Sequence, residues 1–132
     1  MDRTEFVDRL DEQLRTADYA DLDASANGLQ VGPAKGEVDR VAFAVDGVAE
    51  TFDRAVEADA DVLVVHHGLS WGGFDRVTGR TYERLEPLFS NDLALYVSHL
   101  PLDGHQELGN AAGVADVLEL EAREPFGELG PE

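Results

Sequence analysis

Apolar residues along this chain alternate between short uninterrupted runs and stretches where they recur every third or fourth position, a pattern of strands and one-sided helices. The runs fall at residues 38–45, 62–65 and 93–97. Val62-Leu63-Val64-Val65 contains no polar position, which predicts a strand covered on both faces, as in a helix-flanked parallel sheet. Val48, Phe52, Ala55 and Val56 form one helical face between the first two runs, giving a βαβ unit with a right-handed crossover. A second helix, from Tyr82 to about Asn91, carries Leu85, Leu88 and Phe89 inward before the third run. At the start, Asp2 and Glu5 resemble a capping box, and Phe6, Val7, Leu10 and Leu14 repeat at helical spacing to about Ala17. Residues 18–26 are polar and acidic, and Asn27-Gly28 marks a turn before residues 29–33; locally this reads as turn chemistry in preference to a loop that lines the site. Asn110 reads as the N-cap of a last helix whose Val114, Val117 and Leu118 face the core. The implied fold class is α/β: a single domain, residues 1–132, built on a helix-flanked, mainly parallel sheet.

Chemistry gathers where the strands end. The three runs are followed by Asp46-Gly47, by His66-His67-Gly68, and by Ser98-His99 leading to Asp103. Open α/β sheets bind ligands outside the carboxyl ends of their strands. A lone histidine at such a place is more often a hydrogen-bonded core residue, but two in succession favour a metal site. Adjacent residues of a strand point to opposite faces, so His66 and His67 can share one ion only if the backbone turns sharply there. Asp103 suits an Asx turn or a metal ligand equally well. Pro101 bends the chain beside His99, so that ring aims inward or away, and His105, in Gly104-His105-Gln106-Glu107, reads as solvated. Residues 68–79 form a glycine-rich loop with Trp71 and Phe74, too long for a tight turn and suited to a lid or rim.

Composition narrows the chemistry. Without cysteine there are no disulfides, thiolate metal sites or cysteine nucleophile, which suits the cytoplasm, and any metal must be held by nitrogen and oxygen. Imidazole and carboxylate suit zinc, iron, manganese, cobalt or nickel, whereas calcium and magnesium prefer oxygen alone. Asp and Glu number 28 against 10 Lys and Arg, a net charge of -18 with Lys35 the sole lysine. So little positive charge argues against nucleic-acid backbone binding. The acids are dispersed, as on a surface adapted to concentrated salt, where screening shortens self-repulsion. No run approaches the roughly 20 apolar residues of a membrane span, and residues 1–5 are not a signal peptide, so a soluble protein is expected.

In order along the chain, Asn27-Gly28-Leu29-Gln30-Val31, Val64-Val65-His66-His67-Gly68 with Trp71, and His99-Leu100-Pro101-Leu102-Asp103 followed by Glu107-Leu108-Gly109-Asn110 resemble the NIF-three-like family. The YbgI-like branch, the GTP cyclohydrolase I type 2 homologues, is the nearest in pattern. This resemblance implies a dinuclear centre with two divalent metal ions per site, a cytoplasmic protein, and a toroidal homohexamer assembled as a trimer of dimers. It carries His66, His67 and Asp103 over as metal ligands and His99 as a site-lining residue. Family members add a histidine and a glutamate, spaced His-x-x-x-Glu, from a C-terminal half. This chain has no such motif and ends at Glu132, so it is expected to be the N-terminal portion of the family fold.

The expected function is that of a metal-dependent hydrolase opening the imidazole ring of a guanine nucleotide, with His99 as the candidate proton donor and Trp71 stacking on or covering the base. The alternatives are a two-metal phosphoesterase, which the same ligands suit, and a non-catalytic metal-binding or assembly protein. The expected partners are a small-molecule substrate and further copies of the chain, with neither nucleic acid nor membrane.

Overall fold

The computed structural model describes residues 1–126. Helix α1, Arg3–Leu14, starts at Asp2, whose carboxylate accepts the Thr4 N–H at 2.9 Å. Only this half of the expected capping box forms, because Glu5 turns along the helix to pair with Arg9 at 2.7 Å. The helix stops at Leu14, short of Ala17, where Arg15 adopts the left-handed conformation (φ 54°) and leads into a 3-10 turn at Thr16–Tyr19.

Strands β1 (Gly28–Val31), β2 (Val41–Asp46), β3 (Val62–His67) and β4 (Ala94–Val97) form one sheet in the order β1-β4-β3-β2. The pairs β2/β3 and β3/β4 are parallel, as the hydrophobic runs predict. β1 is a correction: residues expected to form a turn and loop make an edge strand antiparallel to β4, with Gly28 opposite Val97 and Leu29 opposite Tyr96. Flanked by Gly32 and Pro33, the segment is too short and broken to read as a strand. It forms one because β4 is buried along its whole length, and without β1 its outer N–H and C=O groups would lack partners.

Helices α2 (Ala49–Glu57) and α3 (Arg80–Ser90) cover one face of the sheet, packing Phe52, Ala55, Leu85 and Leu88 on Leu63, Val65, Leu95 and Val97. On the other face Leu10 and Leu14 of α1 lie over Val62, Ala94 and Tyr96. Tyr96 is fully buried, and its hydroxyl donates to Asp11 Oδ1 at 2.7 Å. Burial pushes this phenol far above its ordinary range, so it stays protonated and its hydrogen bond spans the helix–sheet interface. Thr51 joins α2 to β2: its hydroxyl donates to the Asp46 carbonyl at 2.7 Å and accepts the Val48 N–H at 3.0 Å.

After β4 come the short α4 (Leu100–Asp103) and α5 (Asn110–Val117). The cap of α5 is Gly109 rather than Asn110, which is its first helical residue. A Cβ on Gly109 would lie 2.6 Å from the His105 carbonyl oxygen, so a glycine is required for α5 to approach the loop behind it. That approach sets the helix rotation. α5 buries Ala112 and Ala115, while Val114, Val117 and Leu118, expected in the core, are 59 %, 83 % and 61 % exposed. Phe89 on α3, also expected inside, is 62 % exposed. Residues 127–132, the chain end beyond which the family pattern is expected to continue, lie outside the described residues.

Candidate metal centre

β3 stays in register with β2 to its last residue, His67 opposite Asp46, so the sharp backbone turn that would let His66 and His67 meet is absent. The rings meet nonetheless, with centroids 4.5 Å apart. They lean together over the strand end because each is tied to a different neighbour. His66 Nδ1 lies 2.9 Å from the Ser98 carbonyl beyond β4, and His67 Nδ1 lies 2.6 Å from Asp46 Oδ1 at the end of β2. Directly afterwards the chain squeezes past β4: a Cβ on Gly68 would lie 2.5 Å from Val97 Cγ2 and 2.6 Å from Gln30 Oε1. Only glycine fits there, and Gln30 then takes the next N–H, that of Leu69, at 2.6 Å.

His99 turns inward. Its N–H donates to Asn27 Oδ1 at 2.8 Å, and its Nδ1 stands 3.1 Å from both carboxylate oxygens of Asp23. Its ring centroid is 4.9 Å from that of His66 and 5.8 Å from that of His67. One ring nitrogen from each of His66, His67 and His99 lies within 4.8 Å of the others. Asp103, at the end of α4, stands beside this cluster with Oδ1 3.5 Å from His66 Nε2. His105 is elsewhere and is not simply solvated. Its Nε2 donates to the Gln13 carbonyl at 3.2 Å, while Nδ1 accepts the N–H groups of Glu107 and Leu108 at 3.2 and 3.0 Å. It fastens the loop after α4 to the end of α1.

The partners assign the protons. A carbonyl or ionised carboxylate can only accept, so Nδ1 donates in all three cluster histidines, and each neutral ring keeps its lone pair on Nε2. Burial of the Asp23 side chain, 3 % exposed, works against its charge. Hydrogen bonds from the Asn27 amide, the Ser25 and Leu100 N–H groups and His99 outweigh that cost and hold its pKa below the ordinary 3.8. Asp23 is therefore an ionised acceptor near neutral pH. The Nε2 lone pair of His66 faces the Asp103 carboxylate at 3.5 Å, two electron-rich groups whose apposition calls for a proton or a cation between them. A divalent ion with nitrogen and oxygen ligands fits this donor set. Tethering of the other ring nitrogen to a carboxylate or carbonyl is the arrangement that orients metal-bound histidines.

Trp71 forms a wall. Its ring meets His99 edge-on, centroids 4.7 Å apart at 89°, and lies 6.3 Å from His67 while remaining 51 % exposed. The first part of the 68–79 loop is pinned by a bridge between Ser25 and Trp71 and by the Gly72 N–H to the Ala24 carbonyl at 3.0 Å. Sequence reasoning missed Asp23 as a site residue and ranked the site-lining reading of Asn27 below turn chemistry. Asp23 is hidden among dispersed acids, and Asn27 reads locally as turn chemistry; the Asn27-Gly28 pair is the one available signal.

Parallel strands delivering tethered histidines and a carboxylate to one sheet edge define an α/β protein with a candidate nitrogen-and-oxygen metal centre. Residues 1–130 match Duf34/NIF3 (NGG1p interacting factor 3), and the chain belongs to this family. It is 58 % identical to a GTP cyclohydrolase 1 type 2 homolog of Halobacterium salinarum, over 97 % of this chain and 50 % of that protein. A Pyrococcus abyssi protein of the same name is 48 % identical over 97 % of this chain and 50 % of its own length. Among solved structures, TTHA1606 from Thermus thermophilus superposes with a TM-score of 0.87 at 44 % identity, covering 96 % of this chain and 51 % of that one. Reduced HcgD from Methanocaldococcus jannaschii superposes with a TM-score of 0.82 at 28 % identity, covering 95 % and 50 %. The chain thus spans about half the length of these relatives. No helix among the described residues is long and apolar enough to cross a membrane.

Proposed function

We propose that the cluster binds divalent metal and belongs to a metal-dependent hydrolase acting on a nucleotide, in the manner of a GTP cyclohydrolase. The observation that carries this reading is the opposed pair His66 Nε2 and Asp103 Oδ1, brought together beside two further tethered histidines. His66, His67 and Asp103 are the proposed ligands, for two ions of zinc, iron or manganese per site. A bound divalent metal supplies a water acidified for attack and positive charge against the oxyanion that develops. The protein's own groups do the rest. Ser98 and Asp46 fix the two strand-end rings so that no reorientation accompanies binding. His99, its ring held in place by Asp23 at Nδ1, is the proposed proton donor to the departing imidazole nitrogen. The half-exposed indole of Trp71 lies against the base. We further propose a cytoplasmic, salt-adapted protein that assembles as a homohexameric ring.

A second role for His99 rests on its nitrogen lying within the cluster, where it serves as a ligand. His99→Gln separates the two: a proton donor leaves metal content intact while turnover falls at least ~100-fold, and a ligand takes metal with it. The reaction class is tested by incubating the metal-loaded protein with GTP and assaying formate and phosphate. Formate release supports the cyclohydrolase reading, and phosphate release alone indicates a two-metal phosphoesterase. Neither product, with metal bound, leaves a non-catalytic metal-binding or assembly protein.

A further inference from the structure

On the other side of the sheet, where α2 and α3 begin, lies a hollow of about 510 Å³ lined by Val48, Ala49, Arg80, Glu83 and Arg84. Two residues of chain connect it to the histidine cluster. Asp46 holds His67 Nδ1 at 2.6 Å, Gly47 donates its N–H to the His67 carbonyl at 2.7 Å, and Val48 already borders the hollow. The Cα atoms of Asp46 and Val48 are therefore no more than about 7.6 Å apart. The cations here differ from those elsewhere. Acids outnumber bases 28 to 10, and Arg9, Arg15, Arg40, Arg54 and Arg123 each pair with a carboxylate. Arg3 is buried against the Pro33 carbonyl, and Lys35 lies in the loop before β2. Arg76, Arg80 and Arg84 meet no carboxylate among the described residues. Arg80 and Arg84 stand on successive turns of α3, a spacing at which like charges repel. Arg84 is half-buried and uses one N–H on the Gly47 carbonyl at 2.9 Å, which draws its guanidinium to the turn after β2 and leaves further donors. Glu50, in the first turn of α2, is drawn off to Arg54 at 2.7 Å. Glu83 pairs with neither arginine, so two guanidinium groups share the hollow with one carboxylate.

We infer that this hollow is a phosphate subsite, in which Arg80 and Arg84 bind the phosphate chain of a nucleotide whose base lies at the histidine cluster. The nucleotide rests on the function proposed above; the anionic class of the ligand rests on the charges of the hollow itself. Two like charges held together amid a surplus of carboxylates are relieved by an anion from outside, and guanidinium forks match phosphate oxygens two at a time. A chain of net charge -18 repels a polyphosphate at long range, so binding one requires a local concentration of positive charge. The path from base to phosphates is a run of contacts. Trp71 lies 6.3 Å from His67, His67 is 2.6 Å from Asp46, and Gly47, the next residue, receives Arg84. The subsite gives the cluster a means of preferring nucleotides to nucleosides, because a nucleoside leaves the two arginines opposed.

The test is calorimetric titration of the 132-residue chain with inorganic tripolyphosphate. The protein is first stripped of metal by chelation and dialysis, so that no ion bridges the anion to the histidines, and is held in the lowest potassium chloride that keeps it folded. One-to-one binding is expected, weakening as salt is raised. Arg80 is exposed and makes no hydrogen bond among the described residues, so Arg80→Gln should keep the fold and weaken binding about tenfold. Arg84→Lys, which keeps the charge without the planar fork, should lose less affinity than Arg84→Gln. Arg9→Gln on α1 should change nothing. GTP should displace tripolyphosphate, and guanosine should not. Absence of tripolyphosphate binding, binding indifferent to Arg80 and Arg84, or failure of GTP to compete would each overturn the subsite, whatever metal content and formate release show. Binding that depends on both arginines, in a protein that takes up no metal and turns over nothing, would sustain the subsite and remove only the hydrolase reading.

Discussion

Asp23 and His99 are separated by 76 residues in the chain and by 3.1 Å in the structure. The carboxylate sits in a loop before β1, the imidazole at the entrance to α4, and Asn27 braces both by donating to Asp23 Oδ2 and accepting the His99 N–H, each at 2.8 Å. The segment from Asp23 to Asn27 therefore fixes one wall of the histidine cluster without contributing a nitrogen to it.

Asp23→Ala would leave donors of Asn27, Ser25, Leu100 and His99 without their acceptor and should cost about 1–3 kcal/mol of stability. The sign of the pH dependence follows from the lowered pKa. The stabilisation is complete above the ordinary value of 3.8 and is lost as pH falls through the lower value of the folded state. Urea unfolding of both proteins in concentrated salt should show a constant difference from about pH 5 to 8 that narrows below about pH 4. A difference that widens in acid would contradict the ionised state of Asp23.

Metal affinity should fall at least tenfold in His66→Ala, His67→Ala and Asp103→Ala, since each removes a ligand of the proposed centre. His105→Ala should keep its metal yet lose about 0.5–1.5 kcal/mol of stability with the hydrogen bonds that hold the α4–α5 loop to α1. Metal content by atomic emission after dialysis, alongside thermal melts, reads both effects. Loss of metal from the His105 variant alone would reverse the assignment.

Trp71 is the sole tryptophan, so the protein's indole emission reports on the cluster directly. Adding nickel or cobalt should quench it, chelation should restore it, and Trp71→Phe should retain metal while losing the signal. Metal bound with no change in emission would place the ion away from the histidines.

The net charge of -18 predicts a melting temperature that rises with added potassium chloride as surface repulsion is screened. Calorimetry or circular dichroism from dilute buffer to saturating salt measures it. A steady fall with salt would leave the acidity without this explanation.

By itself the sequence determined the layered α/β class, the three parallel strands, and the edge at which Asp46, His66, His67 and His99 collect. Uninterrupted apolar runs and helical spacing are local signals, and the carboxyl ends of parallel strands must share an edge. Tertiary structure decided the rest. β1 exists because β4 needs a partner on its outer side, a demand arising 63 or more residues downstream of Val31. His66 and His67 converge because their tethers lie at the ends of two different neighbouring strands, Ser98 just past β4 and Asp46 closing β2, which strand alternation alone cannot reveal. Asp23 became distinct from the other acids only when the fold placed His99 and the Leu100 N–H against it. The stripe on α5 is legible in the sequence as apolar, yet it lies outside rather than in the core. Periodicity shows which side of a helix is apolar, while the tertiary fold decides which side it buries, here that of Ala112 and Ala115.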